Sequence, residues 1–167
     1  TNCGADINYW STSDEEIVLE QLASILENPL IEKVGQNSIS FDAPLIKDEF
    51  GIDIKNHKMD LMHAWHVIYP ELPKGLDFIS SVLTDHPNYW TLHDPSVDES
   101  EWKYNCMDAI VTLEASIKVD KELIDDKLER LYYCLTHPLA FALLEAQRRG
   151  VLFDSKEAAK LETRLVG

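Results

Sequence analysis

The sequence predicts a helix-rich α/β fold, and three observations predict it. Apolar residues recur at helical spacing through most of the chain. Only a few short stretches read as strands. The 167 residues suffice for one domain with a core of its own. An apolar fraction of 45% and an aromatic fraction of 9% belong to a globular chain, not a disordered one. So few strands for an α/β domain point to a sheet with part missing.

The elements follow in order. Residues 5–10 read as a short strand. Ser13 followed by Asp14-Glu15-Glu16 has the spelling of a capping box, and Ile17, Leu19, Leu22, Ile25 and Leu26 continue at helical spacing, so a helix is expected over 14–27. Pro29 closes it. Residues 31–36 are a buried-strand candidate. Residues 38–50 read as a helix, with Pro44 tolerable near its first turn and Gly51 as its stop. A brief extended piece at 57–59 leads into a helix over 60–69, ended by Pro70 and Pro73. A shorter helix covers 76–83. Residues 86–98 are polar and carry Pro87 and Pro95, which predicts a surface loop. Helices are expected over 101–119 and 122–135, with His137-Pro138 as a break. The last long helix spans 139–149 and stops at Gly150, and Ser155 caps a terminal one.

Charge limits the partners. Lys plus Arg number 15 against 30 Asp plus Glu, a net −15. That balance argues against broad binding to a phosphate backbone, which needs a basic surface. It permits a small site in which carboxylates hold metal ions. Cys3, Cys106 and Cys134 are odd in number and form no C-x-x-C, so reduced thiols are expected. No apolar run has the length of a membrane span and no signal peptide is evident, so a cytoplasmic location is expected, with no membrane partner. The chain opens on Thr1-Asn2-Cys3 without Met, so position 1 reads as a cut.

Two aspartates carry the chemistry. Asn37-Ser38-Ile39-Ser40-Phe41-Asp42 follows a strand, and Tyr104-Asn105-Cys106-Met107-Asp108 lies in a helix. Hard ions such as Mg²⁺ or Mn²⁺ take oxygen ligands, so carboxylates are the expected donors. Tyr104 and Asp108 are four apart and share a helix face. Each motif also has an ordinary reading: an Asp near a helix N-terminus commonly complements the helix dipole. His63 and His66 could share a face, but no third zinc ligand is evident. Trp10, Trp65, Trp90 and Trp102 read as core or rim packing.

The order of segments is more specific than either motif. Lys33-Val34-Gly35-Gln36-Asn37 precedes Phe41-Asp42. Then come Met59-Asp60, Tyr69-Pro70-Glu71-Leu72-Pro73-Lys74-Gly75-Leu76, and Tyr104 to Asp108-Ala109. From about residue 9 onward this resembles the 3′→5′ proofreading exonuclease domain of family A DNA polymerases, DEDDy type, in its phage and bacterial forms. Pro138-Leu139-Ala140-Phe141 and Arg149-Gly150-Val151-Leu152-Phe153-Asp154 are similar to the segment that joins exonuclease to polymerase. The resemblance implies a ribonuclease H-like fold, with a partial exonuclease domain over 1–135 and the start of the connection over 136–167. It implies Asp42 and Asp108 as ligands of two Mg²⁺ or Mn²⁺ ions and Tyr104 as the residue that positions water. Asn37 and Phe41 would contact a single-stranded DNA 3′ end. Asp60 would support the site from behind, with a helix-cap reading beside it. The rest of the polymerase chain would be the partner.

The family's first motif, a strand bearing Asp-x-Glu, has no good match. Asp14-Glu15-Glu16 has the spelling, but a helix start explains it better, and Asp120-Lys121-Glu122 comes after the third motif. The expectation is an N-terminally truncated piece, lacking the first strands of its sheet and weak or inactive alone. The rival expectations are a non-catalytic exonuclease-like scaffold and an acidic domain that binds a basic protein.

Overall fold

The computed structural model describes residues 12–92, 94 and 96–166, and the strand expected over 5–10 lies outside them. Among the described residues, helix α1 (Thr12–Leu26) leads to strand β1 (Lys33–Gly35), helix α2 (Asp42–Phe50), strand β2 (His57–Asp60), and helices α3 (Leu61–Ile68) and α4 (Leu76–Leu83). A 3-10 turn over Tyr89–Leu92 precedes the long helix α5 (Asp98–Asp125). Then come α6 (Glu129–Leu131), a π-helical segment (Tyr132–Thr136), α7 (His137–Arg149) and α8 (Ser155–Val166). The fold is thus mixed α/β and rich in helix.

β1 and β2 pair in parallel, with Val34 opposite Met59 and Gly35 opposite Asp60. α2 is the crossover between them. The turn from β1 into α2 is tight. A Cβ on Gly35 would lie 2.2 Å from Ser38 Oγ, so only glycine fits there. Asn37 takes the left-handed conformation at φ 55°, which asparagine tolerates better than most residues. α2 itself starts at Asp42, four residues later than the spacing of 38–50 suggests, because residues 37–41 are committed to this turn.

The core lies where β2, α3, α4, α5 and the π-helical segment meet. Met59, Leu61, Ala64, Trp65, Ile79, Ala115, Val119, Leu123 and Tyr132 are all buried in it. Trp65 also donates its indole N–H to Pro73 O at 3.0 Å, which satisfies its polar edge. The face of α5 away from this core exposes Ile110, Leu113, Ile117 and Ile124.

Asp60 ties these parts together. Its side chain is fully buried. One carboxylate oxygen accepts from Asn37 N at 3.0 Å and Met62 N at 3.2 Å, and the other accepts from Ile39 N at 3.1 Å. It therefore caps α3 and braces the β1–α2 turn at once. Its own backbone N–H donates to the Tyr132 phenol at 2.9 Å. That phenol's single proton lies between Asp60 O and His137 Nδ1, each at 3.1 Å. His137 Nε2 in turn donates to His57 O at 2.8 Å. The His57 ring reaches Ser38 Oγ at 2.7 Å and stacks on His137, 5.3 Å between centroids.

Several expected boundaries move. Ser13 lies inside α1, so the capping box does not start that helix at Ser13. The helices expected over 101–119 and 122–135 divide elsewhere: one 28-residue helix runs from Asp98 to Asp125, and the rest of the second becomes α6 and the π-helical segment. Val119 and Leu123 continue the buried spacing past the polar Asp120-Lys121. The chain breaks beyond Asp126, where Lys127 takes φ 60°. His137-Pro138 does not break the chain. Pro138 sits in the first turn of α7, which accepts a residue without an N–H, and the π-helical turn before it carries the backbone through, with His137 N bonded to Tyr132 O.

Replacing Asp60 by Ala should therefore cost more than a lost cap. A cap alone is worth about 1 kcal/mol, whereas loss of several bonds to a buried carboxylate should cost about 3 kcal/mol. Urea unfolding followed by circular dichroism will read the difference, and a loss of only about 1 kcal/mol would show that the turn is not held by Asp60. Burial, reinforced by the charge of His137, pushes the His57 imidazole from 6.5 down to about 4. The unfolded chain binds that proton more readily, so stability is complete above pH 6.5 and falls as pH drops toward 4. The urea midpoint should decline between pH 7 and 5.5, and His57→Gln should flatten that decline.

Candidate active site

The expected site residues lie on two parts of the chain, the β1–α2 turn and α5. The first is the β1–α2 turn. Asp42 is the first residue of α2, and Phe41 precedes it with 63% of its surface exposed. Asn37 is fixed through its backbone N–H to Asp60. Gln36 Nε2 adds a bond to Lys74 O at 2.8 Å, which ties the turn to the segment before α4. Asp42 is exposed to solvent, yet the atoms packed around it penalise its charged form. That crowding, with a smaller contribution from the charge of Asp60, holds its carboxyl above the usual range, against a lowering backbone hydrogen bond. Among the described residues Asp42 makes no ion pair with a Lys or Arg.

The second cluster is on α5. Tyr104 and Asp108 lie one turn apart, as the spacing requires. The hydrogen bond to Asp108 comes from Tyr89, in the 3-10 turn. The Tyr89 ring lies 5.8 Å from that of Tyr104. Burial, then the bond to Asp108, drives the Tyr89 phenol far above its ordinary value. Burial and the charges of Asp108 and Asp77 also raise Tyr104. Both phenols stay protonated at neutral pH, so they can orient a ligand or a water by hydrogen bonding but cannot act as bases. Tyr89 escapes sequence reading because it lies 19 residues from Asp108, in a segment that reads as polar loop. Its signal was an aromatic pair, Tyr89-Trp90, inside that loop.

The charge of Asp60 reaches Asp42. No three His, Cys, Asp or Glu side chains among the described residues are grouped to hold a metal ion. Asp42 and Asp108 have the oxygen chemistry that Mg²⁺ prefers. Asp42 lies at the head of α2 and Asp108 within α5. Asp60 acts as a brace and cap rather than as a ligand, since its oxygens are turned to three backbone N–H groups. His63 and His66 sit on α3 beside the core and belong to no metal group. Cys106 and Cys134 are free and exposed. No helix among the described residues is long and apolar enough to cross a membrane. No protein-family model, curated protein or solved structure matches the chain.

A carboxyl held above its unfolded value works against the fold at neutral pH. Asp42→Asn should therefore stabilise the chain at pH 7, by less than about 1 kcal/mol given the exposure. The gain should vanish near pH 3, where both forms are neutral. Urea titrations at the two pH values measure it, and a destabilised Asn variant at pH 7 would show that the helix-dipole role of Asp42 dominates.

Proposed function

We propose that the chain is a 3′→5′ exonuclease-like module, ribonuclease H-like in ancestry, of the kind that proofreads for family A DNA polymerases. The observation that carries this reading is the β1–turn–α2 unit. It sets Asp42 at the head of a helix directly after a parallel strand, with Asn37 in the turn and Phe41 exposed beside it. An acidic group next to an exposed aromatic ring suits the end of a single strand, where the ring packs on sugar or base. Tyr104 and Asp108, in matching chain order on α5, supply the second half of the constellation.

In this reading Asp42 and Asp108 ligate Mg²⁺ or Mn²⁺ once further carboxylates complete the donor set. Bound metal would activate water and neutralise charge on the leaving oxygen. Tyr104 would hold a water by hydrogen bond, and Asn37 and Phe41 would seat the terminal nucleotide. With only these two carboxylates and no Asp-x-Glu strand to complete the donor set, the chain by itself should hydrolyse DNA weakly or not at all.

The test uses a 5′-labelled single-stranded oligonucleotide with Mn²⁺. The complete open reading frame that encodes this chain should shorten it from the 3′ end. Asp42→Ala and Asp108→Ala should each lower the rate by at least about 100-fold, and Tyr104→Phe by about 10- to 100-fold. An active product that tolerates Asp42→Ala would overturn the site, and an inactive one would overturn the function. Robust turnover by the isolated chain would refute the claim that its donor set is incomplete.

A further inference from the structure

Beside Asp108 lies a groove of ≈ 1070 Å³. That is at or above the usual range for small-ligand sites, roughly 300–1,000 Å³, so several side chains of a bound peptide fit in it. Its walls are mostly apolar and come from the segment after α4, the 3-10 turn and the first turns of α5. Tyr89, Trp102, Tyr104 and Met107 give it aromatic and thioether surface. Trp102 is 59% exposed. Tyr89 and Tyr104 are half-buried, with rings 5.8 Å apart and tilted by 32°. They form one wall, tied to α5 by the Tyr89–Asp108 bond.

The charges select the occupant. Asp85 and Glu99 line the groove, and Lys103 is the one Lys or Arg among its lining residues. Lys103 is already held by Glu99 at 2.7 Å. The N-terminus of α5 is electropositive through its dipole, but Asp98, Glu99 and Glu101 in its first turn meet that charge. A phosphate or other anion would therefore face acidic walls and a committed lysine. Asp85 has no such local explanation. It lies just beyond the end of α4, where the helix dipole disfavours a carboxylate. Lys118 bonds to Leu83 O and pairs with Glu114, and Asp85 has no hydrogen bond or ion pair among the described residues. A carboxylate so placed gains from a cation that a ligand brings.

The walls narrow the choice of cation. An ammonium is strongly hydrated and loses much by leaving water for an apolar groove. A guanidinium is planar and more weakly hydrated, and it stacks on an aromatic face while its edge bonds a carboxylate. Trp102 offers the face and Asp85 the carboxylate. The net charge of −15 would draw a basic segment in from solution.

We infer that this groove docks an arginine-bearing, partly apolar peptide segment of a partner protein. A guanidinium would lie over Trp102 and face Asp85, with an apolar side chain against the Tyr89–Tyr104 wall. Docking of this kind needs no nuclease chemistry, so it stands or falls apart from the exonuclease-like reading.

The probe is a fluorescein-labelled short peptide of alternating arginine and leucine, titrated into the whole chain and followed by fluorescence anisotropy. The signal should rise to saturation. The peptide with lysine for arginine should bind several-fold more weakly, and the one with glutamate should not bind. Trp102→Ala should weaken binding about tenfold, and Trp102→Phe should recover most of the loss. Asp85→Asn should weaken it about threefold and lessen its salt dependence. Glu49→Gln, on α2, should leave it unchanged, which separates the groove from attraction to an acidic chain in general. Circular dichroism checks that each variant folds. Absence of saturation, unchanged affinity in Trp102→Ala, or equal losses from Asp85→Asn and Glu49→Gln would each overturn the inference. Equal binding of the lysine peptide, or displacement by spermidine as effective as by unlabelled peptide, would overturn it too.

Discussion

The Asp60 carboxylate is the contact on which the rest of the structure depends. It is buried where the end of β2, the start of α3 and the β1–α2 turn converge. Three backbone N–H groups that no strand or helix ladder satisfies converge on its two oxygens. A buried polar group of this kind holds structure only when its bonding capacity is filled. Here it is filled by main chain from two elements that the short sheet could not hold alone. Two paired strands of three and four residues are a weak frame by themselves. The carboxylate compensates by fastening the turn that carries Asn37, Phe41 and Asp42.

Much of this was legible in the sequence, because local signals and tertiary demands coincide. Helix α4 has the boundaries its pattern gives, 76–83, since Pro73 and Gly75 open it and its apolar face meets α5. β1 and β2 fall where short apolar stretches meet turn residues. The placement of Asp42 at the head of a helix followed from strand and helix order. The rest was not legible for physical reasons. The single long α5 runs through Asp120-Lys121 because Lys121 faces solvent, Asp120 is half-buried and accepts from the Tyr133 phenol, and Val119 and Leu123 stay buried. The cap of α1 was misplaced because Ser, Asp and Glu in a first turn suit both a cap and an acidic helix start. The partnership of Tyr89 with Asp108 joins loop to helix, and no periodicity encodes such a contact. Whether Asp42 and Asp108 meet is likewise a matter of tertiary placement, which no local pattern encodes.

The two clusters differ in how they are supported. The turn around Asp42 is held by fixed main-chain bonds and by the His57–Ser38 contact, so its shape belongs to the core. The cluster around Asp108 sits on the core helix α5 and is tied to the 3-10 turn by a side-chain bond from the Tyr89 phenol.

The π-helical turn at Tyr132–Thr136 has a consequence for chain register. In a regular helix, residues five apart point about 140° away from each other. The wider turn brings Tyr132 and His137 side by side, 3.1 Å between phenol and imidazole. One additional residue in the helical path therefore places the imidazole over β2. Loss of any one residue from this turn would rotate everything downstream by about 100°, carrying His137 and Phe141 off the His57 ring that they now cover. Length, beside the buried Tyr132 itself, is thus a quantity this stretch must conserve. A deletion here would be felt at Ser38, in the turn before Asp42, through the relay of rings from Tyr132 to His57.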